Sequence, residues 1–392
     1  MRRIPGTRFL HSPGPTQVPD EVLNAMHRQP MDHGDPRLDE VIAAIDAGIK
    51  RLLQTKSAEL YMFAANGHGA WEAAIENLLA PGQAALIPGT GHFSESWAVQ
   101  TEALGRRVIR TPFREGHPID PQAIEQALRA DVKREIAAVF AVHTDTASST
   151  TSDLAALRAA IDACGHPALF VVDVVASLAA APFAMDAMRV NVAVGATQKG
   201  LMSPPGMSFV AVDHRADEVA ARNPAPRYYW DWGRRKGDQS YRKFCGTPPQ
   251  NLLYGVEAAL SLLFLEGIDA IIARHALLAR AVHAAVECWS REGAVRFHCR
   301  VPAARSVSVT TIETRDGIDP EAMRTVARER FQVAIAGGLG PQGGRAFRIG
   351  HLGNLNSAMI LGCLAGVEAA MQVQKIPCGR GGMEAAIASL GG

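Results

Sequence analysis

The chain has 392 residues, of which 47% are hydrophobic and 20% charged, with a formal net charge of +1. That length supplies a large core with room for two domains, and that balance excludes a disordered chain. Near-neutral charge gives no basis for nucleic acid or an anionic membrane surface as a partner.

Residues 1–19 carry four prolines and two glycines, which predicts an extended arm rather than a folded element. A helical pattern fills 20–53, with a break around 30–36. A short apolar strand at 60–65 is followed by Asn66-Gly67-His68-Gly69 and the helical AWEAAIENLL. The strand ALIP (85–88) leads through Gly89 to Phe93 and Ser94 into the helical SESWAVQTEAL. A strand at 136–142 ends at His143-Thr144-Asp145-Thr146; a helix at 153–163 then precedes the strand ALFVVD, which ends at Asp173. The run 190–194 is a strand that stops at Gly195. Gly200 and Ser203-Pro204-Pro205-Gly206 forbid a helix directly after it, so Gln198 and Lys199 sit on a tight turn.

A helical run at 251–289 follows TPPQ and bridges two domains. Beyond it come a strand at 306–312, a helix at 319–330, strand QVAIA, a glycine-rich loop, strand AFRIGHL and a last helix at 357–373. The expected division is an arm (1–19), a large domain (20–265) and a smaller α+β domain (266–392). Strands alternating with helices imply a mostly parallel sheet covered on both faces, with ligands beyond the carboxyl ends of the strands. His68, Phe93, Thr146, Asp173 and Lys199 all follow such strands, so they can converge on one site.

Cysteines 164, 245, 288, 299, 363 and 378 show no Cys-x-x-Cys and no metal spacing. They read as free thiols of a reducing, cytoplasmic compartment. MRRIPGTRFLHSPGPT lacks the apolar core of a signal peptide. The most apolar stretch, 168–184, contains Asp173 and Ser177 and so is no membrane span.

Each candidate has a plainer alternative. A partly desolvated Lys199 has a lowered pKa and serves as an amine nucleophile or base; otherwise it is a loop lysine. Asn66-Gly67-His68-Gly69 offers free backbone N–H groups and a helix dipole to a phosphate, or simply makes a strand–helix connection. Asp173 ends an apolar strand and needs a cation or several donors, or caps the next segment. Arg348, inside an apolar strand, suits a carboxylate, or forms a structural ion pair. Gly338-Leu339-Gly340-Pro341-Gln342-Gly343 fits G-x-G-x-x-G, but a strand rather than a helix follows it, so it is no dinucleotide fingerprint. His143 and Asp145 lack a third ligand, and a supporting role suits them better than a metal site.

Taken together, SPGPT (12–16), GHGAWEAAIENLL, GHFSESW, HTDTASSTTSD, GHPALFVVDVVAS, GATQKGLMSPPG, GTPPQNLLYG and FRIGHLGNLN resemble the class V aminotransferases that use pyridoxal 5′-phosphate. Within them the match is to the serine/alanine–glyoxylate aminotransferase group. The resemblance implies fold type I, with a mostly parallel seven-stranded sheet. It also implies a homodimer with active sites at the subunit interface, a tetramer being the alternative. Lys199 is implied as the Schiff-base lysine and proton carrier, and Asp173 as the partner of the pyridine nitrogen. Phe93 and Val175 would flank the ring, and Thr146 would sit near its 3-oxygen. Asn66, Gly67, His68 and Gln198 would form the phosphate cup, joined by Thr247 of a second subunit. Arg348 would grip the substrate carboxylate, with Gly14 and His33 also at the substrate.

The implied reaction is a ping-pong transfer of an amino group from a serine-, alanine- or aspartate-type donor to glyoxylate or pyruvate. Three departures bear on substrate. Asp32-His33-Gly34-Asp35-Pro36 lacks the arginine usual in serine–glyoxylate enzymes, which leaves more donor room. Asn66 and Leu339 stand where pyridoxamine–pyruvate aminotransferases carry Glu and Arg, which speaks against that alternative. VVAS replaces the commoner GVSS after Asp173. A lyase such as a cysteine desulfurase would need a nucleophilic cysteine, for which Cys245 is the sole candidate. A non-catalytic binding protein would have lost Lys199 or Asp173.

Overall fold

A computed structural model describes residues 6–237 and 239–391. In chain order the first strands are β1 (Phe9–His11), β2 (Glu59–Phe63), β3 (Ala84–Ile87), β4 (Arg107–Arg110), β5 (Ile136–Val142), β6 (Thr144–Asp145) and β7 (Thr150–Thr151). They are followed by β8 (Leu169–Asp173), β9 (Val192–Ala196), β10 (Ser208–Val212), β11 (Val295–Phe297), β12 (Val309–Thr314), β13 (Val333–Gly337) and β14 (Ala346–Gly350).

Seven strands form one sheet in the order β2-β10-β9-β8-β5-β3-β4. β10 pairs antiparallel with β2 and β9, and the remaining pairings are parallel. The sequence dictates this layering. Strands β8, β9 and β10 are apolar runs buried at every residue, the pattern of strands covered on both faces. One apolar cluster, including Leu86, Val139, Phe170 and Phe209, lies on one face; another, including Trp97, Phe140, Val171 and Val210, lies on the other. Five helices begin at an aspartate N-cap (Asp35, Asp120, Asp153, Asp213 and Asp319) whose carboxylate accepts a first-turn N–H. Each such cap contributes roughly 1 kcal/mol.

A second sheet, β1-β13-β14-β12-β11, carries its own core of helices Ile268–Trp289 and Ser357–Val373. Here the arm differs from the expectation. Phe9–His11 is a strand paired in parallel with Val333–Ile335, because Phe9 and Leu10 have a sheet edge to cover despite the surrounding prolines. Residues 1–5 of the arm lie outside the described residues. The helical run at 251–289 is two helices, Gln250–Glu266 and Ile268–Trp289, broken at Gly267 with φ +93°, a backbone angle that glycine adopts without strain. The strand before Lys199 runs to Ala196, past Gly195, whose missing side chain admits the ring of Phe209. Ser357–Val373 is not the last helix. Gly382–Leu390 follows, and a Cβ at Gly382 would lie 2.4 Å from the indole nitrogen of Trp289. Among the described residues no helix is long and apolar enough to cross a membrane.

Candidate active site

The carboxyl ends of β2, β3, β5, β8 and β9 open on one cavity of about 310 Å³, within the range of small-molecule sites. Gly14, Asn66, Gly67, His68, Phe93, Thr146, Asp173, Val175, Gln198 and Lys199 all line it. The parallel topology explains the convergence, since each chain segment leaves the sheet at the same edge.

Lys199 follows β9 and points toward the N-terminal segment. Its Nζ donates to the carbonyl of Pro13 at 2.6 Å, while the Thr16 hydroxyl donates to the Lys199 carbonyl at 3.0 Å. Gly14 makes this approach possible: a Cβ there would lie 2.4 Å from Lys199 Cδ, Cε and Nζ. Burial, then the nearby Arg348 guanidinium, push the Lys199 amine down from 10.5 to about 8. The loop-lysine alternative is therefore excluded by geometry as well as by charge.

Asp173 ends β8 and is 5% exposed. Its Oδ1 accepts the Val175 N–H at 2.7 Å and its Oδ2 accepts the Trp71 indole N–H at 2.8 Å. Burial pushes the carboxyl up from 3.8 to about 7, against these two donors. The cap and the buried carboxylate are thus the same residue doing both jobs.

Arg348, on β14, reaches across from the second sheet. Its Nε donates to the Gly337 carbonyl at 2.6 Å and its Nη1 to the Thr146 carbonyl at 2.9 Å. It pairs with backbone, not with a carboxylate, and burial lowers it to about 10. Asp145 holds the wall of the cavity: it accepts the N–H groups of Phe93 at 2.9 Å and Ala147 at 2.8 Å. His143 Nδ1 is 2.8 Å from Ser177 Oγ. Both residues support the site and bind no common point.

One expectation needs correcting. The N–H groups of His68 and Gly69 are not free: Asn66 Oδ1 accepts both, at 3.1 and 3.4 Å. The asparagine side chain fills the helix cap that a bare strand–glycine–helix turn would leave open. Three further candidates do not line the cavity of their own chain: Arg348 meets its wall through the Thr146 carbonyl. Thr247 is exposed ahead of helix Gln250–Glu266, and His33 is exposed beside Tyr241.

Two contributors had no place in the sequence reading. Pro13 acts through a carbonyl, which every residue possesses, so no residue type could have signalled it. Trp71 sits one turn into a helix whose other face is core, where a tryptophan looks like packing. Asp145, read from the sequence as a supporting residue, acts through the N–H groups of Phe93 and Ala147, an orientation that residue type does not give.

The chain matches the family model "Aminotransferase class-V" over residues 8–343. It belongs to that family and is a pyridoxal 5′-phosphate-dependent transaminase of fold type I. Serine–glyoxylate aminotransferase of Methylorubrum extorquens is 38% identical over 371 residues, 93% of this chain and 91% of that one. L-aspartate–glyoxylate aminotransferase of Paracoccus denitrificans is 36% identical over 368 residues, 93% and 91%. The crystal structure of ureidoglycine–glyoxylate aminotransferase from Bacillus subtilis superposes with a TM-score of 0.90 at 25% identity, covering 100% of both chains.

The cavity fits the family's cofactor on its own chemistry. Gln198 Oε1 is buried without a hydrogen-bond partner in the protein, which leaves the amide available to an added polar group. Asp173 is a buried carboxylate whose hydrogen-bond donors are both neutral, so a cationic ring nitrogen would relieve it. Lys199 supplies a near-neutral amine on the same cavity.

Proposed function

We propose that this transaminase moves an amino group from a small amino acid to glyoxylate, with pyruvate as the alternative acceptor. The observation that carries the reading is that a lysine lowered to about 8 and a buried aspartate line one cavity, while a buried arginine bonds the carbonyl of Thr146 in its wall. The three relatives above act on glyoxylate by name while differing in donor, which supports glyoxylate as the shared substrate.

Pyridoxal phosphate, when bound, supplies the electron sink that makes the donor Cα acidic, and it carries nitrogen between the two acids. Arg348 would hold the carboxylate of each acid in turn, using the guanidinium edge not bonded to Gly337 and Thr146. Lys199 Nζ would take the proton from Cα and return it on the other side of the transfer. Asp173 would keep a proton on the ring nitrogen. The phosphate would lie against Gly67, His68 and Gln198, with Asn66 holding the turn. Phe93, Val175 and Thr146 would border the ring, and Gly14 would admit the donor beside Lys199.

His33 and Thr247 would complete the site only from a second copy, and we include a homodimer in the proposal for that reason, together with a cytoplasmic location. A cysteine-dependent lyase gains no support: Cys245 does not line the cavity. Gly34, in place of the family's arginine, favours a donor other than serine.

The test is spectroscopic. Cofactor-loaded protein is mixed separately with serine, alanine, aspartate and pyridoxamine, and the visible band is followed. One amino acid is expected to bleach it, and glyoxylate to restore it. Bleaching by pyridoxamine alone would replace this reading with pyridoxamine–pyruvate transamination.

A further inference from the structure

Behind the cavity wall stands a column of aromatic rings whose first member touches a reacting group. Trp71 and Trp97 stack at 5.1 Å and 9°, and Trp97 and Phe140 stack at 4.7 Å and 19°. All three are buried, Trp71 at 2% exposure. Stacking fixes the plane of the Trp71 ring, and the plane aims its N–H at Asp173 Oδ2, 2.8 Å away. Trp71 also lines the cavity.

Resting on the function proposed above, we propose that Trp71 is a positioning residue that keeps Asp173 ionised and oriented toward the ring nitrogen of the cofactor. The chemistry is one-sided. An indole N–H donates and cannot accept. The Val175 N–H, which occupies the other oxygen at 2.7 Å, likewise only donates. A proton on Asp173 would displace one of these donors and find no acceptor in either. The two neutral donors favour the anion against the burial that favours the acid, with no hydrogen-bonded cation among the described residues. That leaves its charge directed at whatever cation enters the cavity. Phenylalanine would pack in the same column and would lack the donor.

The consequence reaches Lys199. With one donor gone, Asp173 binds a proton more tightly and holds the ring-nitrogen proton less well. Less positive charge on the ring lets the Lys199 nitrogen keep its own proton to higher pH. The pH midpoint of the visible band of loaded Trp71→Phe is therefore expected to rise by up to about one unit, since a hydrogen bond to a buried charge is worth about one to two units at Asp173 and only part of that reaches Lys199.

Three variants separate this from packing. Trp97→Phe disturbs the same column without touching Asp173, and its midpoint is expected to stay at the wild-type value. Trp71→His retains an N–H on a flat ring and is expected to recover part of the shift. If Trp71→Phe does not fold, benzothienylalanine at position 71 keeps the shape, replaces N–H by sulfur, and reads the same midpoint. An unchanged midpoint in the donor-less variant, or an equal shift in Trp97→Phe, overturns the proposal. A wild-type protein that forms no Lys199-dependent band overturns the underlying function and this proposal with it. A normal wild-type band with an unmoved Trp71→Phe midpoint overturns this proposal alone.

Discussion

Two buried charge clusters of the molecule are built on opposite rules. Around the end of the seven-stranded sheet, Lys199, Asp173 and, from the facing sheet, Arg348 are each pushed toward their neutral forms, and none of them is ion-paired among the described residues. In the second sheet, Glu313 on β12 meets Arg296 at 2.7 Å, Arg300 at 2.6 Å and His298 at 2.7 Å. Those partners outweigh burial and hold its carboxyl down at about 2. A fully answered charge contributes to folding and has nothing left to offer a ligand. Unanswered charges cost stability and are what a ligand can satisfy. Burial alone does not distinguish the two clusters; pairing does.

The largest test is Lys199→Met. Transamination should fall by about 10⁴-fold or more, since the residue is both anchor and proton carrier. The same change should stabilise the cofactor-free protein by about 1–3 kcal/mol at pH 7, read as a higher midpoint in urea. The sign follows from the shift. An amine at about 8 folded and 10.5 in its ordinary state opposes folding wherever it must be protonated. The advantage of the variant is therefore full below pH 8 and fades as pH rises to 10.5. A cofactor-free variant less stable than wild type at pH 7 would break the comparison at its first member.

Glu313→Gln tests the other cluster and should move in the opposite direction. A carboxyl at about 2 folded against 4.5 unfolded contributes stability above pH 4.5 and loses it as pH falls toward 2. The variant should lose about 2 kcal/mol at pH 7, allowing for solvent around Arg296 and Arg300, and converge on wild type near pH 2. Its visible band and amino-group transfer should be unaffected at temperatures where it is folded. A loss of the band at such temperatures would place Glu313 in the chemistry and dissolve the contrast.

How far the sequence shows this contrast depends on which atoms carry it. Lys199, Asp173 and Arg348 were legible because each is a charged residue inside or just beyond an apolar run, a local contradiction that needs an explanation. Strands 136–142 and ALFVVD were legible because parallel strands are continuous apolar runs. Other elements were not. β10 lies beyond Pro204-Pro205-Gly206 and β4 between Gly105 and Pro112, turn signals that went unused, and β1 is held by a partner more than three hundred residues away. Asn66 capping its own helix, Pro13 offering a carbonyl and Trp71 aiming an N–H are matters of orientation, which residue type and spacing leave open. Arg296, His298, Arg300 and Glu313 gave no signal in the sequence, because only strand pairing brings the first beside the last.

The smallest expected effect is that of metal ions, and it sharpens the comparison most finely. Ligand atoms of Glu115, His298 and Glu313 lie within 4.8 Å of one another, the one such group among the described residues. By ligand type alone this is a candidate site. Yet Glu313 already faces two guanidiniums, and the Glu115 carboxylate accepts an N–H from Gln342. A divalent ion would have to displace both arginines and sit beside their charges. Addition of Zn²⁺ or of EDTA should therefore shift the melting temperature by less than about 1 °C. The double change Arg296→Gln and Arg300→Gln removes the competing cations and leaves the three ligands in place. It should be less stable than wild type and should be the form that gains stability from Zn²⁺. A wild-type protein stabilised by Zn²⁺ would mean that the second cluster, too, keeps charge in reserve.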